Sequence, residues 1–290
     1  MNSGRFSNTH RKTSDIAILI LNRGMKMGIK FGVIGFGNMG GAITKGAVNA
    51  GYLSKEDVYV ADIKEEARQK AKDFGLTVVK DDEELAAKSD IVLMAVKPQQ
   101  YEEAAAMTGK ALDGKAMLSI VAGVTTDRLQ AAIDGTPRIL RLLPNTPALV
   151  YEGAFALNKG NDFTSEEEAF SEKLFASIGT VLWVKESDLD AVCGLSGGGP
   201  AYVAMFIDAL ADGGVKEGLT RDVAYKLAAQ TVLGSAKMIL ETGMHPGQLK
   251  DMVTSPAGTT IEGCDALEEG GFRHAVIDCV VKASERSRNL

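Results

Sequence analysis

Six residues near the start of the sequence have the glycine spacing of a dinucleotide-binding turn. They are Gly35, Phe36, Gly37, Asn38, Met39 and Gly40, and they directly follow an apolar run that ends at Ile34. In such a turn the first glycine permits the tight bend, the second lets the backbone approach a pyrophosphate, and the third allows close helix–strand packing. The N-terminus of the next helix has free N–H groups and a partial positive charge, both of which favour binding of a phosphate. Because the segment lies between a predicted strand and a predicted helix, it predicts a dinucleotide site; the alternative is a structural turn.

An acidic residue ends the second predicted strand, where it could select the cofactor. Asp62 lies 22 residues after Gly40 (62 − 40). A carboxylate there accepts hydrogen bonds from the adenosine ribose of NAD and repels the 2′-phosphate of NADP. Alternatively, Asp62 caps a helix that begins near Lys64. Lys64 and Arg68 could instead pair with a phosphate, so the sequence favours NADH slightly and leaves NADPH open.

Three further strand ends carry residues suited to bordering a cofactor. The fourth strand ends in Ala95, Val96, Lys97 and Pro98, small residues at 119–123 follow the fifth, and Asn145 stands in a Pro-Asn-Thr-Pro turn after the sixth. In an open α/β sheet the ligand crevice lies outside the carboxyl ends of the strands. Lys97 therefore either lines the cofactor or is a solvated lysine before a helix. Asn145 either stabilises its rigid turn or contacts the nicotinamide end.

A serine–proline pair late in the chain predicts an anion site. Ser255 suits the N-cap of a helix and Pro256 its first residue. The N–H groups that follow would then be free to bind a small carboxylate. Thr260 would lie one turn into the helix, with its hydroxyl placed to bond a group attached to that anion. The alternative is a well-capped helix without a ligand.

The pattern of apolar residues changes part-way along the chain. Strand-like runs cover residues 30–34, 58–61, 77–79, 91–96, 116–121 and 138–142, with a further pair at 153–157 and 180–184. They alternate with helical stretches, which indicates a parallel sheet covered on both faces. After Trp183, long helical patterns occupy residues 200–217, 221–241, 256–268 and 272–287. Their apolar residues spread over more than one face, which predicts burial against a second subunit.

These patterns predict the fold class and the domains. We expect an α/β protein in which a Rossmann-like parallel-sheet domain at residues 27–185 precedes an all-helical dimerisation and substrate domain at residues 186–290. The packed sequence is expected to begin at Met25 or Met27, so residues 1–26 are interpreted as a disordered upstream extension or a mis-assigned start. Their apolar run is too short for a signal peptide.

Composition excludes several functional classes. The chain has 290 residues and a net charge of −6, and its acidic pI of about 5.3 argues against a nucleic-acid binder. Its three cysteines, at 193, 264 and 279, have no metal-site spacing, so no metal is expected. No apolar stretch is as long as a membrane span, and we expect a cytoplasmic protein.

Several segments together closely resemble the pyrroline-5-carboxylate reductases, which catalyse the final step of proline biosynthesis. The strongest similarity lies at residues 194–202, 208–215 and 245–251, the last running into residues 255–260. The resemblance covers residues 29–287. It implies a Rossmann-like domain followed by a helical domain whose helices interleave in a homodimer, and often a decamer of five dimers.

The resemblance also implies roles for individual residues. The substrate carboxylate would bind Ser255 and the backbone of Gly258, Thr259 and Thr260, and the catalytic Thr260 would lie beside the imine nitrogen. Lys97, Val121, Ala122 and Asn145 match cofactor-facing positions. Ala257 stands in place of a frequent glycine, a change expected to suit a helical backbone, and Met252 in place of a polar residue in some members. Asp62 and Asp82, which lies near a common asparagine, depart from members that prefer NADPH.

The reaction implied is hydride transfer from NADH or NADPH to the imine carbon of 1-pyrroline-5-carboxylate, which yields L-proline. A protonated imine is already electrophilic, so positioning and a hydrogen bond from Thr260 would suffice without a strong acid or base. None of the three histidines, His10, His245 and His274, is expected to be a catalytic base, and each is interpreted as a surface or structural residue. A β-hydroxyacid dehydrogenase would need a lysine, and residues 200–210 contain none. A non-catalytic dinucleotide sensor would not need the turn at residues 255–260.

Overall fold

An eight-stranded sheet forms the first part of the protein, whose computed structural model describes residues 28–290. The strands are β1 (Phe31–Ile34), β2 (Val58–Ala61), β3 (Thr77–Val78), β4 (Ile91–Met94), β5 (Ala116–Ser119), β6 (Arg138–Leu143), β7 (Gly153–Lys159) and β8 (Gly179–Lys185). Their order is β3-β2-β1-β4-β5-β6-β7-β8. β1 to β6 are parallel, β7 is antiparallel to β6, and β8 is parallel to β7. All the predicted strands occur, while the predicted extension at residues 1–26 lies outside the described residues.

Helices follow most of the strands, and the described chain after β8 contains helices and no further strand. The helices within the sheet region are α1 (Asn38–Asn49), α2 (Glu65–Phe74), α3 (Asp82–Lys88), α4 (Tyr101–Met107), α5 (Thr126–Ala132) and α6 (Ser165–Ala176). Those after it are α7 (Leu189–Val192), α8 (Gly199–Lys216), α9 (Arg221–Thr242), α10 (Pro246–Val253), α11 (Thr259–Glu269) and α12 (Phe272–Arg288). The predicted fold class is therefore confirmed. Helix α10 was not predicted, because it is short and has Pro246 and Gly247 at its start.

Both faces of the sheet are buried, which accounts for the continuous apolar strands. On one face Ile43 of α1 and Phe170 and Phe175 of α6 pack on the strands. On the other face Leu85 of α3 and Leu129 of α5 do so. A fully buried side chain of this size stabilises the fold by about 2 kcal/mol relative to an exposed one. The two layers hold the carboxyl ends of β1, β4 and β5 in fixed positions.

An ion pair between a buried arginine and a half-buried glutamate joins the sheet to the helical region. The Arg141 side chain on β6 is 7% exposed, and its guanidinium donates to the Glu186 carboxylate at 2.8 Å. The same carboxylate oxygen accepts from the backbone N–H and the hydroxyl of Thr126, each at 2.8 Å. Burial acts to raise the pKa of Glu186, but these hydrogen bonds and the charge of Arg141 lower it below its usual value. Glu186 thus fixes the start of the helical region to β6 and α5.

Replacing Glu186 with alanine is expected to lower the free energy of unfolding by about 2 kcal/mol, because it leaves the buried Arg141 guanidinium without a counter-charge. Urea denaturation at neutral pH measures the loss. Glu172→Ala, which removes an exposed carboxylate from α6, should change the free energy by less than about 0.5 kcal/mol. Equal losses in the two variants would show that the Arg141–Glu186 pair adds nothing to stability.

The helices after the sheet leave large apolar side chains exposed. Ala211, Ala224 and Ala228 form a small buried cluster between α8 and α9. Large side chains remain exposed along these helices, among them Met205, Leu227, Leu233, Leu240 (82% exposed), Ile277 and Val281. A single soluble chain rarely exposes so large an apolar surface, so these helices are built to contact another chain. Within residues 28–290, no helix combines the length and apolarity that a membrane crossing requires.

Candidate active site

A cleft of about 670 Å³ opens at the carboxyl ends of β1, β4 and β5. It lies where the strand order reverses between β1 and β4, the usual ligand position in such sheets. Twelve residues predicted from the sequence line it: Ile34, Gly35, Gly37, Asn38, Met39, Asp62, Asp82, Ala95, Val96, Lys97, Pro98 and Ala122. Phe36, Gly40, Val121 and Asn145 do not line it; Phe36, Gly40 and Val121 are buried beside it.

Each glycine of the loop meets a different steric requirement. Gly35 has a φ of +92°, and a Cβ atom there would lie 2.7 Å from the carbonyl oxygen of Ala95. A Cβ at Gly40 would overlap the carbonyl oxygen of Gly35, so the third glycine permits close packing of α1 on β1. A Cβ at Gly37 would have no protein atom within 4 Å. The loop therefore leaves open space at the position where a cofactor backbone would approach.

The Asp62 carboxylate ties the glycine loop to the end of β2. One oxygen accepts from the Phe36 N–H at 2.7 Å and the other from the Lys64 N–H at 2.8 Å. The N-cap alternative for Asp62 is wrong, because Lys64 occupies the N-cap position of α2. Carboxylate oxygens accept more than one hydrogen bond each, so Asp62 keeps acceptor capacity towards the cleft. The Arg68 guanidinium donates to the Glu65 carboxylate and to the Asp62 carbonyl, so it is already bonded to residues of its own segment.

Asp82 is a second carboxylate in the cleft wall. It is 7% exposed, and no hydrogen bond to its side chain is found among residues 28–290. Burial, and then the charges of Asp81 and Asp62, raise its pKa from 3.8 to about 6. The two predicted acidic residues thus lie near one another in the wall of the cleft.

The raised pKa of Asp82 predicts a pH-dependent effect on stability. The folded chain binds the Asp82 proton more tightly than the unfolded chain does. Protonated Asp82 therefore contributes to stability below about pH 4, and this stabilisation is lost as the pH rises through about 6. Asp82→Asn should therefore increase the free energy of unfolding at pH 8 by roughly 2 kcal/mol and have no effect near pH 4.

Thermal unfolding of the cofactor-free protein at the two pH values measures this effect. Asp81→Asn is the matched control, because the Glu84 N–H bonded to the Asp81 carboxylate lowers the pKa of Asp81. The control should not be stabilised at pH 8. A stabilised control, or an Asp82→Asn gain that is the same at pH 4 and pH 8, would contradict the assignment.

The Asn145 side chain joins its turn to strand β7. Its side-chain oxygen accepts from the Ala154 N–H of β7 at 2.8 Å, and the residue is 9% exposed. This is the stabilising role considered from the sequence, while a contact with nicotinamide stays a prediction. Its neighbours Pro144 and Thr146 line the cleft.

Residues 255–258 form a β-turn, which corrects the helix start predicted there. The Gly258 N–H donates to the Ser255 carbonyl at 3.0 Å, and Gly258, instead of Ser255, is the N-cap of α11. Ala257 has a φ of +56° and is therefore left-handed, not helical. A Ser-Pro pair suits the first positions of a turn as well as those of a helix, and the left-handed residue selects the turn. Thr260 becomes the second residue of α11.

The described chain does not place this turn in the cleft. Ser255, Thr259 and Thr260 are exposed and Gly258 is half-buried, and none of them lines the cleft formed by residues of the described chain. The predicted substrate residues and the predicted cofactor residues thus form two separate groups in one chain. His245 caps α10 through its Nδ1, which accepts from the Gly247 N–H, as expected of a structural histidine.

Comparisons with known proteins show to which family this chain belongs. Pyrroline-5-carboxylate reductases of Methanosarcina acetivorans and Escherichia coli are 44% and 42% identical to the chain over 263 residues, which is 90% of this chain and 97% and 98% of theirs. The chain belongs to the pyrroline-5-carboxylate reductase family. Residues 186–290 match the family description pyrroline-5-carboxylate reductase dimerisation, and residues 30–123 match NADP oxidoreductase coenzyme F420-dependent. The resemblance stated from the sequence is confirmed.

Solved structures agree with this family membership. The pyrroline carboxylate reductase of Plasmodium falciparum with NADP bound has a TM-score of 0.82 and 34% identity, covering 92% of this chain and 99% of that one. The pyrroline-5-carboxylate reductase of Coxiella burnetii has a TM-score of 0.82 and 32% identity, covering 90% and 98%.

Sequence reasoning missed the part of the cleft that the helical region supplies. Cys193 and Gly197 line the cleft from a π-helical turn between α7 and α8. Such turns are rare and often lie at functional sites. The glycine-rich segment at residues 194–202 was noted for its family similarity, but a π-helical turn has no sequence pattern of its own that would have placed it in the cleft.

Proposed function

We propose that this family member is an NAD(P)H-dependent oxidoreductase that reduces 1-pyrroline-5-carboxylate to L-proline. The observation that carries the proposal is identity above 40% over nearly the full length of curated pyrroline-5-carboxylate reductases. The cleft and the turn at residues 255–258 supply the parts that the chemistry needs.

The cleft residues fit a nicotinamide dinucleotide. The open space beside Gly37 would accept a pyrophosphate, and the free N–H groups at the start of α1 would donate to it. The Asp62 carboxylate has acceptor capacity left for ribose hydroxyls. When bound, the reduced cofactor supplies the hydride for the imine carbon. Lys97, Val121, Ala122 and Asn145 are proposed as its neighbours at the nicotinamide end.

The turn at residues 255–258 and the start of α11 are proposed as the substrate site. The N–H groups of Gly258, Thr259 and Thr260 and the Ser255 hydroxyl would bind the substrate carboxylate. The Thr260 hydroxyl would bond the ring nitrogen and hold the imine carbon towards the cofactor. Because the protonated imine is electrophilic, binding and orientation carry the catalysis.

The active site is proposed to form between two subunits. In one chain Thr260 lies outside the cleft and the helices of residues 186–290 expose apolar side chains. A homodimer that buries these helices would bring α11 of one subunit to the cleft of the other. This arrangement assigns cofactor binding to residues 27–185 and dimerisation and substrate binding to residues 186–290. Assembly of five dimers into a decamer is a further proposal, which the mass in solution tests.

The cofactor is proposed to be NADH in preference to NADPH. Asp62 places a negative charge at the end of β2, where the 2′-phosphate of NADPH would lie. The ratio of kcat/KM for the two cofactors tests this directly. A cytoplasmic location, where proline biosynthesis would draw on the reduced cofactor pool, is also proposed and is tested by cell fractionation.

Turnover is the experiment that tests the function. The purified protein should oxidise NADH or NADPH only after 1-pyrroline-5-carboxylate is added, with one proline formed per cofactor oxidised. Cofactor binding without turnover would contradict the proposal and favour a dinucleotide sensor.

A further inference from the structure

Two walls of the cleft pack against one helix that does not itself line the cleft. One wall is the loop after β5, which contributes Ile120 and Ala122, and the other is the π-helical turn at residues 193–197, which contributes Cys193 and Gly197. Every residue of α12 is described, and none of them lines the cleft. A helix in this position can set the distance between the two walls without contacting a ligand.

Each wall carries a glycine because α12 and the residues after it lie so close. A Cβ at Gly194 of the π-helical turn would overlap the Ser284 hydroxyl. Gly123 of the loop after β5 has a φ of +70°, and a Cβ there would lie 2.7 Å from the Leu290 Cβ and 2.8 Å from the Ser287 carbonyl oxygen. No side chain fits between either wall and the end of α12, so a shift of the helix would shift both walls.

One side-chain hydrogen bond fixes the end of α12 to the rest of the chain. The Ser287 hydroxyl, in a residue that is 2% exposed, donates to the Asp190 carboxylate at 2.7 Å. Asp190 lies in α7, which leads directly into the π-helical turn. A hydrogen bond to a charged acceptor is about twice as strong as a neutral one. The Ser284 hydroxyl, one turn earlier, donates to the Val280 carbonyl of its own helix and so joins α12 to no other element.

We propose that Ser287 and Asp190 are positioning residues for the nicotinamide end of the cleft. Their hydrogen bond holds α12 against the loop at residues 120–125 and the turn at residues 193–197, and thereby sets the space between these two walls. The proposal rests on the proposed function, in which residues at the end of β5 are neighbours of the nicotinamide ring.

The two ends of the cofactor should respond differently when this hydrogen bond is lost. The glycine loop and Asp62, which would bind the pyrophosphate and the adenosine ribose, follow β1 and β2. The loop at residues 120–125 follows β5, two strands away from β1 in the sheet. ADP-ribose has the adenosine and the pyrophosphate but no nicotinamide ring, so its binding reports on the first end alone.

The experiment measures dissociation constants for NADH and ADP-ribose by isothermal titration, in the full-length protein, without substrate and at a temperature at which every variant is folded. In Ser287→Ala the Kd for NADH should rise about fivefold, because binding must then restore a wall that one hydrogen bond no longer holds. The Kd for ADP-ribose should stay within about twofold of the parent value. Ser284→Ala is the matched control: it makes the same change in the same helix at a similarly buried position, and should leave both constants unchanged.

The acceptor of the hydrogen bond supplies an independent test. Asp190→Asn keeps an amide oxygen that can accept from the Ser287 hydroxyl, so it should bind NADH within about twofold of the parent protein. Asp190→Ala should weaken NADH binding as Ser287→Ala does. The double variant should bind NADH no more weakly than either single variant, because the two changes remove the same bond.

Weakening that is confined to NADH, shared by Ser287→Ala and Asp190→Ala and absent in Ser284→Ala, supports the proposal. Unchanged NADH binding in Ser287→Ala, or equal weakening of NADH and ADP-ribose, overturns it, because a bond that only stabilises the fold would not distinguish the two ligands. Failure of the proposed function is seen separately, as the absence of turnover with 1-pyrroline-5-carboxylate.

Discussion

Replacing Gly37 with alanine is expected to weaken cofactor binding at least about a hundredfold while leaving the fold unchanged. A Cβ at this position would meet no protein atom within 4 Å, and the backbone φ of −72° suits any residue. Folding therefore does not require glycine at position 37. In the proposed function the cofactor uses this space, because its pyrophosphate would approach the loop closely. Isothermal titration with NADH and thermal unfolding of the free protein measure the two parts of this prediction.

Two neighbouring glycines are the controls. A Cβ at Gly41 would make ordinary contacts at 3.7 Å or more, so Gly41→Ala should keep cofactor affinity and stability. A Cβ at Gly40 would overlap the carbonyl oxygen of Gly35, so Gly40→Ala should lose both cofactor affinity and about 2 kcal/mol or more of stability. Retained affinity in Gly37→Ala would show that the loop does not approach the cofactor.

Replacing Thr260 with alanine is expected to lower kcat/KM by about ten- to a hundredfold, by loss of one hydrogen bond to the reacting imine in the transition state. The Kd for NADH should not change, because the proposed role of the Thr260 hydroxyl is a hydrogen bond to the substrate nitrogen, which is absent when NADH binds alone. Thr259→Ala is the neighbouring control: its proposed role is through its backbone N–H, which alanine keeps. An unchanged kcat/KM in Thr260→Ala would remove this hydroxyl from the mechanism.

The Thr260 variant also tests whether the site forms between subunits. If the cleft of one subunit uses Thr260 of the other, a mixed dimer of Gly37→Ala and Thr260→Ala chains has one site with both defects and one intact site. Random pairing then restores about a quarter of the parent activity in co-expressed protein. If each chain supplies both residues of its own site, every site in the mixture carries a defect and no activity returns.

The sheet could be predicted from the sequence because its signals are local. Strands buried on both faces are short apolar runs, and the helices between them show where the chain crosses over. The antiparallel direction of β7 was not predicted, although the connection at residues 144–152, which contains the short helix Thr146–Val150, is too short for a parallel crossover. The glycine loop was found because its spacing is a local pattern: the fold requires glycine at Gly35 and Gly40, and close approach of a dinucleotide requires it at Gly37.

The parts of the site that were predicted less well depend on non-local contacts. Ser255 and Pro256 fit a helix start and a turn equally well, and the left-handed Ala257 distinguishes them only in the folded chain. The N-cap alternative for Asp62 failed because Lys64 is the N-cap, and one Asp62 oxygen bonds the glycine loop 26 residues earlier in the chain. The contribution of Cys193 and Gly197 to the cleft depends on how the helical region joins the sheet through Arg141 and Glu186.

The most direct test of the central claim follows the hydride. The protein is given 1-pyrroline-5-carboxylate and NADH or NADPH that carries deuterium at the transferred position of nicotinamide C4, and the product is analysed by mass spectrometry and NMR. We expect proline with one deuterium on the former imine carbon, in an amount equal to the cofactor oxidised. Oxidation of the cofactor without deuterated proline, or no oxidation with either cofactor, would contradict the assignment of imine reduction to this protein.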